Sequence, residues 1–150
     1  MGDSEKITTT TVEFKTLGKD VQELIDAAIE ARKKSYCPYS NFAVGAAIRT
    51  PCGRIFTGCN IESSTHTPSI CAERTAAAKA ISEGFRKFSA VAVIGQQEKT
   101  FTTPCGVCRQ FLSEFSDNED IPIFVAKPAR ITVMVTSLFE LLPHRFIWSS

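Results

Sequence analysis

The run Phe88-Ser-Ala-Val-Ala-Val-Ile-Gly95 constrains the fold most, because it is short, almost wholly apolar and lies between two segments of helical character. A strand without polar alternation is covered on both faces, and helices are the usual cover. Upstream, residues 71–83 form an alanine-rich helix that ends at Gly84; downstream, "PCGVCRQFLSEF" forms another. Earlier, "VQELIDAAIEARKKSY" follows Gly18, with Asp20 as N-cap and Val21, Leu24, Ile25, Ala28 and Ala31 or Arg32 at helical spacing. "FAVGAAIRT" and "RIFTGCNIE" flank the turn "PCG" and predict a hairpin. "IPIFVA" and "ITVMV" predict two more strands, and "TSLFELLP" a last short helix capped by Thr136 or Ser137. The order is α-β-β-α-β-α-β-β-α. Strands separated by helices predict a three-layer α/β/α sandwich on a mixed five-stranded sheet, in one domain over residues 19–150. Residues 1–18 are a polar tail, with Thr8 to Thr11 in a row, that stays frayed or adds one edge strand.

The size agrees with one domain: 150 residues, 43% hydrophobic, make one continuous core but not two. Lys and Arg number 17 against 16 Asp and Glu, so no broad basic field exists to grip a phosphate backbone, and nucleic acid is not an expected partner. No stretch approaches the ~20 apolar residues of a membrane span, and "MGDSEKITTT" lacks the apolar centre of a signal peptide. A cytoplasmic protein without membrane partners is expected. "MGDSEK" opens like a myristoylation site, but Lys6 stands where that motif wants Ser or Thr, which discounts lipidation.

Six cysteines would allow three disulfides in a secreted protein, yet a chain with this much apolar sequence has little need of them. In a reducing compartment, C-x-x-C spacing points to metal or redox chemistry. Cys105 follows Pro104, and Cys108 lies in the first turn of the helix that continues "RQFLSEF"; Cys71 begins the other helix. Helix starts favour anions, which biases these thiols toward the thiolate that binds zinc. Three thiolates leave one tetrahedral position open, the mark of a catalytic site. Glu73, two residues beyond Cys71, comes close to such a metal without coordinating it, and there takes a proton from water whose pKa zinc has lowered to about 7. Taken alone, the C-x-x-C pair is equally compatible with structural zinc or a redox pair. Cys37, Cys52 and Cys59 read as small hydrophobes or turn residues without chemistry.

Cys71-x-Glu73, followed 31 residues later by Pro104-Cys105-x-x-Cys108, is the signature of zinc nucleobase deaminases. With "CPYSNFAVGAA", "GRIFTGCNIE", "ICAERTA", "TPCGVCRQF" and "ELLP" in order between residues 37 and 143, the chain resembles the small homotetrameric cytidine deaminases. The resemblance implies hydrolysis of cytidine and deoxycytidine to uridine and deoxyuridine, with one zinc per chain and Glu73 as proton shuttle to a hydroxide attacking C4. Read from the residues alone, Arg74 is either a surface charge of the helix or a supporting cation, and the resemblance gives it the second part: its guanidinium, donating to the cysteine sulfurs, offsets the net negative charge of zinc with three thiolates.

On the substrate side, the resemblance implies that Phe42 stacks on the pyrimidine, that Asn60 and Glu62 bind the ribose 3′-hydroxyl, and that backbone groups near Ala72 and Cys105 hold the base edge. Read from the residues alone, Phe42 is equally a core aromatic, and Asn60 and Glu62 a solvated strand end. A carboxylate at the 3′-oxygen would repel a 3′-phosphate, so a free nucleoside is the expected substrate. "SSTHTPS", residues 63–69, departs from the family: Ser64, His66 and Pro68-Ser69 stand where a small residue, a tyrosine and a glycine are usual. This loop is expected near the nucleoside 5′-hydroxyl, where His66 is a polar contact in place of that tyrosine, a surface residue, or a spare metal ligand. Phe146 matches an aromatic that the family presents to a neighbouring subunit, which implies a homotetramer with shared sites; unpartnered, Phe146 and Trp148 would leave an apolar patch. Rival readings are a deaminase of a cytosine antibiotic such as blasticidin S, a polynucleotide deaminase, which would need a basic aromatic groove, and a non-catalytic zinc module with a fourth protein ligand.

Overall fold

The computed structural model describes residues 5–150. Residues 1–4, which begin the polar tail and carry the Gly2 of the discounted lipidation motif, lie outside the described residues. A strand β1 (Thr10–Glu13) and a 3-10 turn (Phe14–Thr16) precede helix α1 (Lys19–Arg32). The hairpin β2 (Val44–Arg49) and β3 (Ile55–Cys59) leads to α2 (Ala72–Ser82) and β4 (Ala90–Gly95). After α3 (Gly106–Ser113) come β5 (Pro122–Ala126), β6 (Thr132–Ser137) and the single turn α4 (Leu138–Leu141).

The six strands form one sheet in the order β1-β6-β5-β4-β2-β3. Only the pair β4–β5 is parallel; the connection through α3 supplies the crossover that parallel pairing demands. The expected five-stranded sheet is therefore corrected to six. The sixth is β1, which pairs with β6 through Thr10↔Val135 to Glu13↔Thr132. It is polar and mostly exposed because only one of its flanks is covered, so no apolar alternation announces it.

Alternate residues of the central strands enter two separate cores, as the period of two requires. Ala46, Ile48, Val91, Val93, Ile123 and Val125 face the layer built by α2, α3 and α4. Ala47, Ala92, Ile94, Phe124 and Ala126 face α1, which buries Leu24, Ile25 and Ala28 against them. The helix α1 starts two residues earlier than expected: Gly18 in extended conformation is its N-cap, and Asp20 lies in the first turn, where a carboxylate suits the helix dipole. Ser137 does cap α4, accepting a bond of 3.2 Å from the Glu140 amide. Among the described residues no helix is long and apolar enough to cross a membrane.

Candidate active site

Two glycines decide where the helices touch the sheet. A Cβ at Gly58 of β3 would stand 2.5 Å from both the Ala72 carbonyl oxygen and the Ala76 nitrogen. Only glycine lets the first turn of α2 lie directly on that strand. Ala72, Ala76, Ala77 and Ala80 are fully buried beneath it, small enough to keep the helix close. Gly45 plays the same part for α1 on the other face, where a Cβ would collide with the Ala28 carbonyl and Arg32.

Close packing of α2 sets its N-terminus beside that of α3. Cys71 is the extended N-cap of α2, Cys105 the extended N-cap of α3, and Cys108 the third residue of α3. Their sulfurs lie within 4.8 Å of one another, and Cys71 Sγ is 3.8 Å from Cys105 Sγ. Zinc–sulfur bonds of ~2.3 Å in a tetrahedron place two sulfurs about 3.8 Å apart, so the observed spacing and the soft donors fit zinc. Among the described residues no fourth His, Cys, Asp or Glu joins this set, His66 included. A structural site with four protein ligands is thereby disfavoured.

Glu73 lies in the first turn of α2, 4% exposed, with Cys108 Sγ donating toward its Oε2 at 3.7 Å. Burial pushes its carboxyl above the usual range, and the Cys71 thiolate adds to the rise. A carboxyl so placed accepts and returns protons nearer neutrality. Cys71 is pushed down to about 5 by its contact with Cys108 first, then by Arg74 and Cys105, against an opposing effect of burial. Cys108 is pushed up by the same contact, by burial and by Glu73. Arg74 Nη2 lies 3.4 Å from Cys71 Sγ, a contact that pushes the pKa of its guanidinium further up. The Arg74 Nε is buried without a hydrogen-bond partner, so the side chain is committed to the sulfurs rather than to solvent.

The substrate-side residues form a second group around the segment between α1 and β2. Asn60 Oδ1 accepts from the Val44 amide at 2.8 Å, and its Nδ2 donates to the Phe42 carbonyl at 2.8 Å. Phe42 is half-buried against the core layer that contains α2. Glu62 Oε1 accepts from the amides of Tyr39 and Ser40 at 3.0 and 3.1 Å. The Ser40 hydroxyl and these amides hold its carboxyl below the usual range. Both side chains therefore brace the loop that carries Phe42, a function the sequence pattern does not announce. Ser64 and His66 are exposed; His66 has a left-handed backbone (φ 63) and meets Tyr39 edge to face with ring centroids 6.1 Å apart. Ala72 is fully buried at the start of α2. Phe146 is exposed, and its backbone is gripped on both sides by Gln110: its amide donates to Oε1 at 3.1 Å and its carbonyl accepts from Nε2 at 3.0 Å.

Sequence reasoning missed Gly58, Arg109 and Gln110. Arg109 and Gln110 directly follow Cys108, and that adjacency to a ligand was the available signal.

The family model described as the cytidine and deoxycytidylate deaminase zinc-binding region matches residues 19–123. A probable cytidine deaminase of Dictyostelium discoideum is 45% identical over 128 residues, covering 85% of this chain and 84% of the relative. The crystal structure of cytidine deaminase from Burkholderia pseudomallei superposes with a TM-score of 0.77 at 42% identity, covering 83% of this chain and 97% of that one. A blasticidin-S deaminase of Bacillus cereus is more distant, at 28% identity.

Proposed function

This chain belongs to the cytidine and deoxycytidylate deaminase zinc-binding family, and on that premise we propose that it hydrolyses cytidine and deoxycytidine to uridine and deoxyuridine with release of ammonia. The observation that carries the reading is a buried carboxyl, Glu73, beside three thiols spaced for one tetrahedral zinc. Cys71, Cys105 and Cys108 would hold the metal, which supplies Lewis-acid activation of water at neutral pH. Glu73 accepts the proton that water gives up and delivers it to ring N3, which makes C4 electrophilic. The carboxylate so regenerated takes the second proton, from the hydroxyl now on C4, and hands it to the exocyclic nitrogen; the C4–O bond becomes a carbonyl, the C4–N bond breaks and ammonia leaves. Its depth keeps competing water off the carboxyl and holds its affinity for protons up. Arg74 steadies the negative sulfur cluster through Cys71.

Phe42 offers a face for the pyrimidine, and the amides at the starts of α2 and α3, near Ala72 and Cys105, suit the polar edge of the base. Asn60 and Glu62 take the ribose 3′-hydroxyl, while Ser64 and His66 lie toward the 5′ end. The carboxylate of Glu62 selects a free nucleoside over a 3′-phosphate. Residues 19–150 are the catalytic domain, and the segment before it lends β1 to the sheet. Phe146, Ile147 and Trp148 are all exposed, which supports burial against a second copy; the reading is of a homotetramer whose sites draw on more than one chain, working in the cytoplasm.

Loss of ultraviolet absorbance on incubation with cytidine, beside blasticidin S as competing substrate, tests the reaction. Faster turnover of blasticidin S, or none of cytidine, would refute it. Light scattering tests the assembly, and a stable, active monomer would exclude it.

A further inference from the structure

We infer that Arg109 is a positioning residue for the metal ligand Cys105 and ties that ligand to the C-terminal segment; the inference rests on the reading of Cys71, Cys105 and Cys108 as zinc ligands. Its guanidinium makes three hydrogen bonds in different directions: Nε to the Pro104 carbonyl at 2.7 Å, Nη2 to the Thr103 hydroxyl at 3.1 Å, and Nη1 to the Leu141 carbonyl at 2.9 Å. All three acceptors are neutral, and among the described residues no carboxylate pairs with it. A half-buried cation with no carboxylate partner and three bonds directed at neutral acceptors is built for geometry.

The need for it follows from where the ligands are mounted. Cys108 is fixed by the helix it belongs to, and Cys71 by α2 together with Arg74. Cys105 is exposed and ends a stretch, residues 96–105, that carries no helix or strand. Nothing regular holds the backbone entering it. The peptide unit between Pro104 and Cys105 is planar and trans, so fixing the Pro104 carbonyl fixes the Cys105 amide on the other side of the bond and the position of its Cα. The Thr103 bond sets the residue before. The Leu141 bond satisfies a carbonyl that the end of α4 leaves open, where a cation is favourable. Gln110 then grips Phe146 from the next position. Two consecutive residues of α3 thus strap the chain after α4 to the helix that bears Cys108.

An arginine is required for this. Its planar fork carries five N–H donors at fixed angles, whereas a lysine ammonium is compact and cannot reach three divergent acceptors in one geometry. Charge and geometry are separated by Arg109→Lys and Arg109→Gln. Competition with a chromophoric chelator gives the zinc affinity, and melting of the chelator-treated, zinc-free protein gives a readout of fold alone. We expect zinc binding about 10–100-fold weaker in both variants, with lysine no rescue, as for other residues that orient metal ligands. Wild-type zinc affinity in both variants, or full rescue by lysine, would overturn the inference, even with a lowered zinc-free melting temperature. Should neither variant fold, Thr103→Val removes one of the acceptors: weaker zinc binding in the same direction supports the inference, and unchanged binding overturns it. If the wild type binds no zinc and turns over no cytidine, the proposed function falls and this inference with it. If the wild type does both and the variants match it in zinc affinity, only the inference falls.

Discussion

Gly58→Ala should damage the active site from the opposite side of a helix. The new methyl carbon would lie 2.5 Å from both the Ala72 carbonyl oxygen and the Ala76 nitrogen, backbone atoms with no rotamer to escape into. Ordinary contact needs about 3.5 Å, so α2 must withdraw by about 1 Å. Overpacking of this kind costs about 1–3 kcal/mol, which for a domain of this size lowers Tm by roughly 2–12 °C. The functional cost is larger than the stability cost. Cys71, Ala72 and Glu73 all ride on the turn that moves, while Cys105 and Cys108 belong to α3 and stay. A displacement of about 1 Å between reacting groups costs on the order of 10²-fold in rate. Zinc-loaded protein would be melted by circular dichroism and assayed with cytidine at saturation. Wild-type kcat in a variant that melts normally would show that β3 does not set the position of α2.

Two further outcomes follow from the loop that carries Phe42. Asn60→Asp keeps an acceptor for the Val44 amide but sets an oxygen against the Phe42 carbonyl, at a cost of about 1–3 kcal/mol; KM for cytidine should rise by more than kcat falls, and an unchanged KM would contradict the bracing. The Glu62 carboxyl should titrate below its ordinary 4.5 because the folded loop donates hydrogen bonds to its charged form. That contribution is present above the unfolded pKa and is lost as pH falls through the folded one. In an NMR titration the Tyr39 and Ser40 amides should shift with the same low midpoint; a midpoint at or above 4.5 would show that the bonds do not form in solution.

Much of the fold is written in apolar pattern. The buried run 88–95 reads as a central strand because covered strands lose their polar alternation, and Val91, Val93, Ala92 and Ile94 do divide between the two cores. The metal cluster is legible for a different reason: the C-x-x-C pair alone leaves structural zinc and redox chemistry open, and it is Cys71-x-Glu73 at its spacing from Pro104-Cys105-x-x-Cys108, with the flanking motifs, that resembles the zinc deaminases. What escaped has no side-chain signature of its own. The strand β1 (Thr-Thr-Val-Glu) is mostly exposed at the sheet edge, so the sequence leaves it as either frayed or an edge strand; pairing with β6 and the packing of Val12 decide for the strand. The start of α1 depends on an extended glycine rather than on the aspartate that resembles a cap. Gly45 and Gly58 act through the side chains they lack, and Asn60 and Arg109 act on backbone carbonyls whose positions only the folded chain defines.

The central claim is that Glu73 moves protons beside a metal held by three cysteines and is not itself a ligand. The most direct test measures zinc content and cytidine turnover together in Glu73→Gln, which keeps the shape of the side chain and removes its exchangeable charge. Zinc per chain should equal that of the wild type, with turnover lower by at least about 10²-fold. Turnover near the wild-type rate, or loss of zinc along with activity, would contradict it.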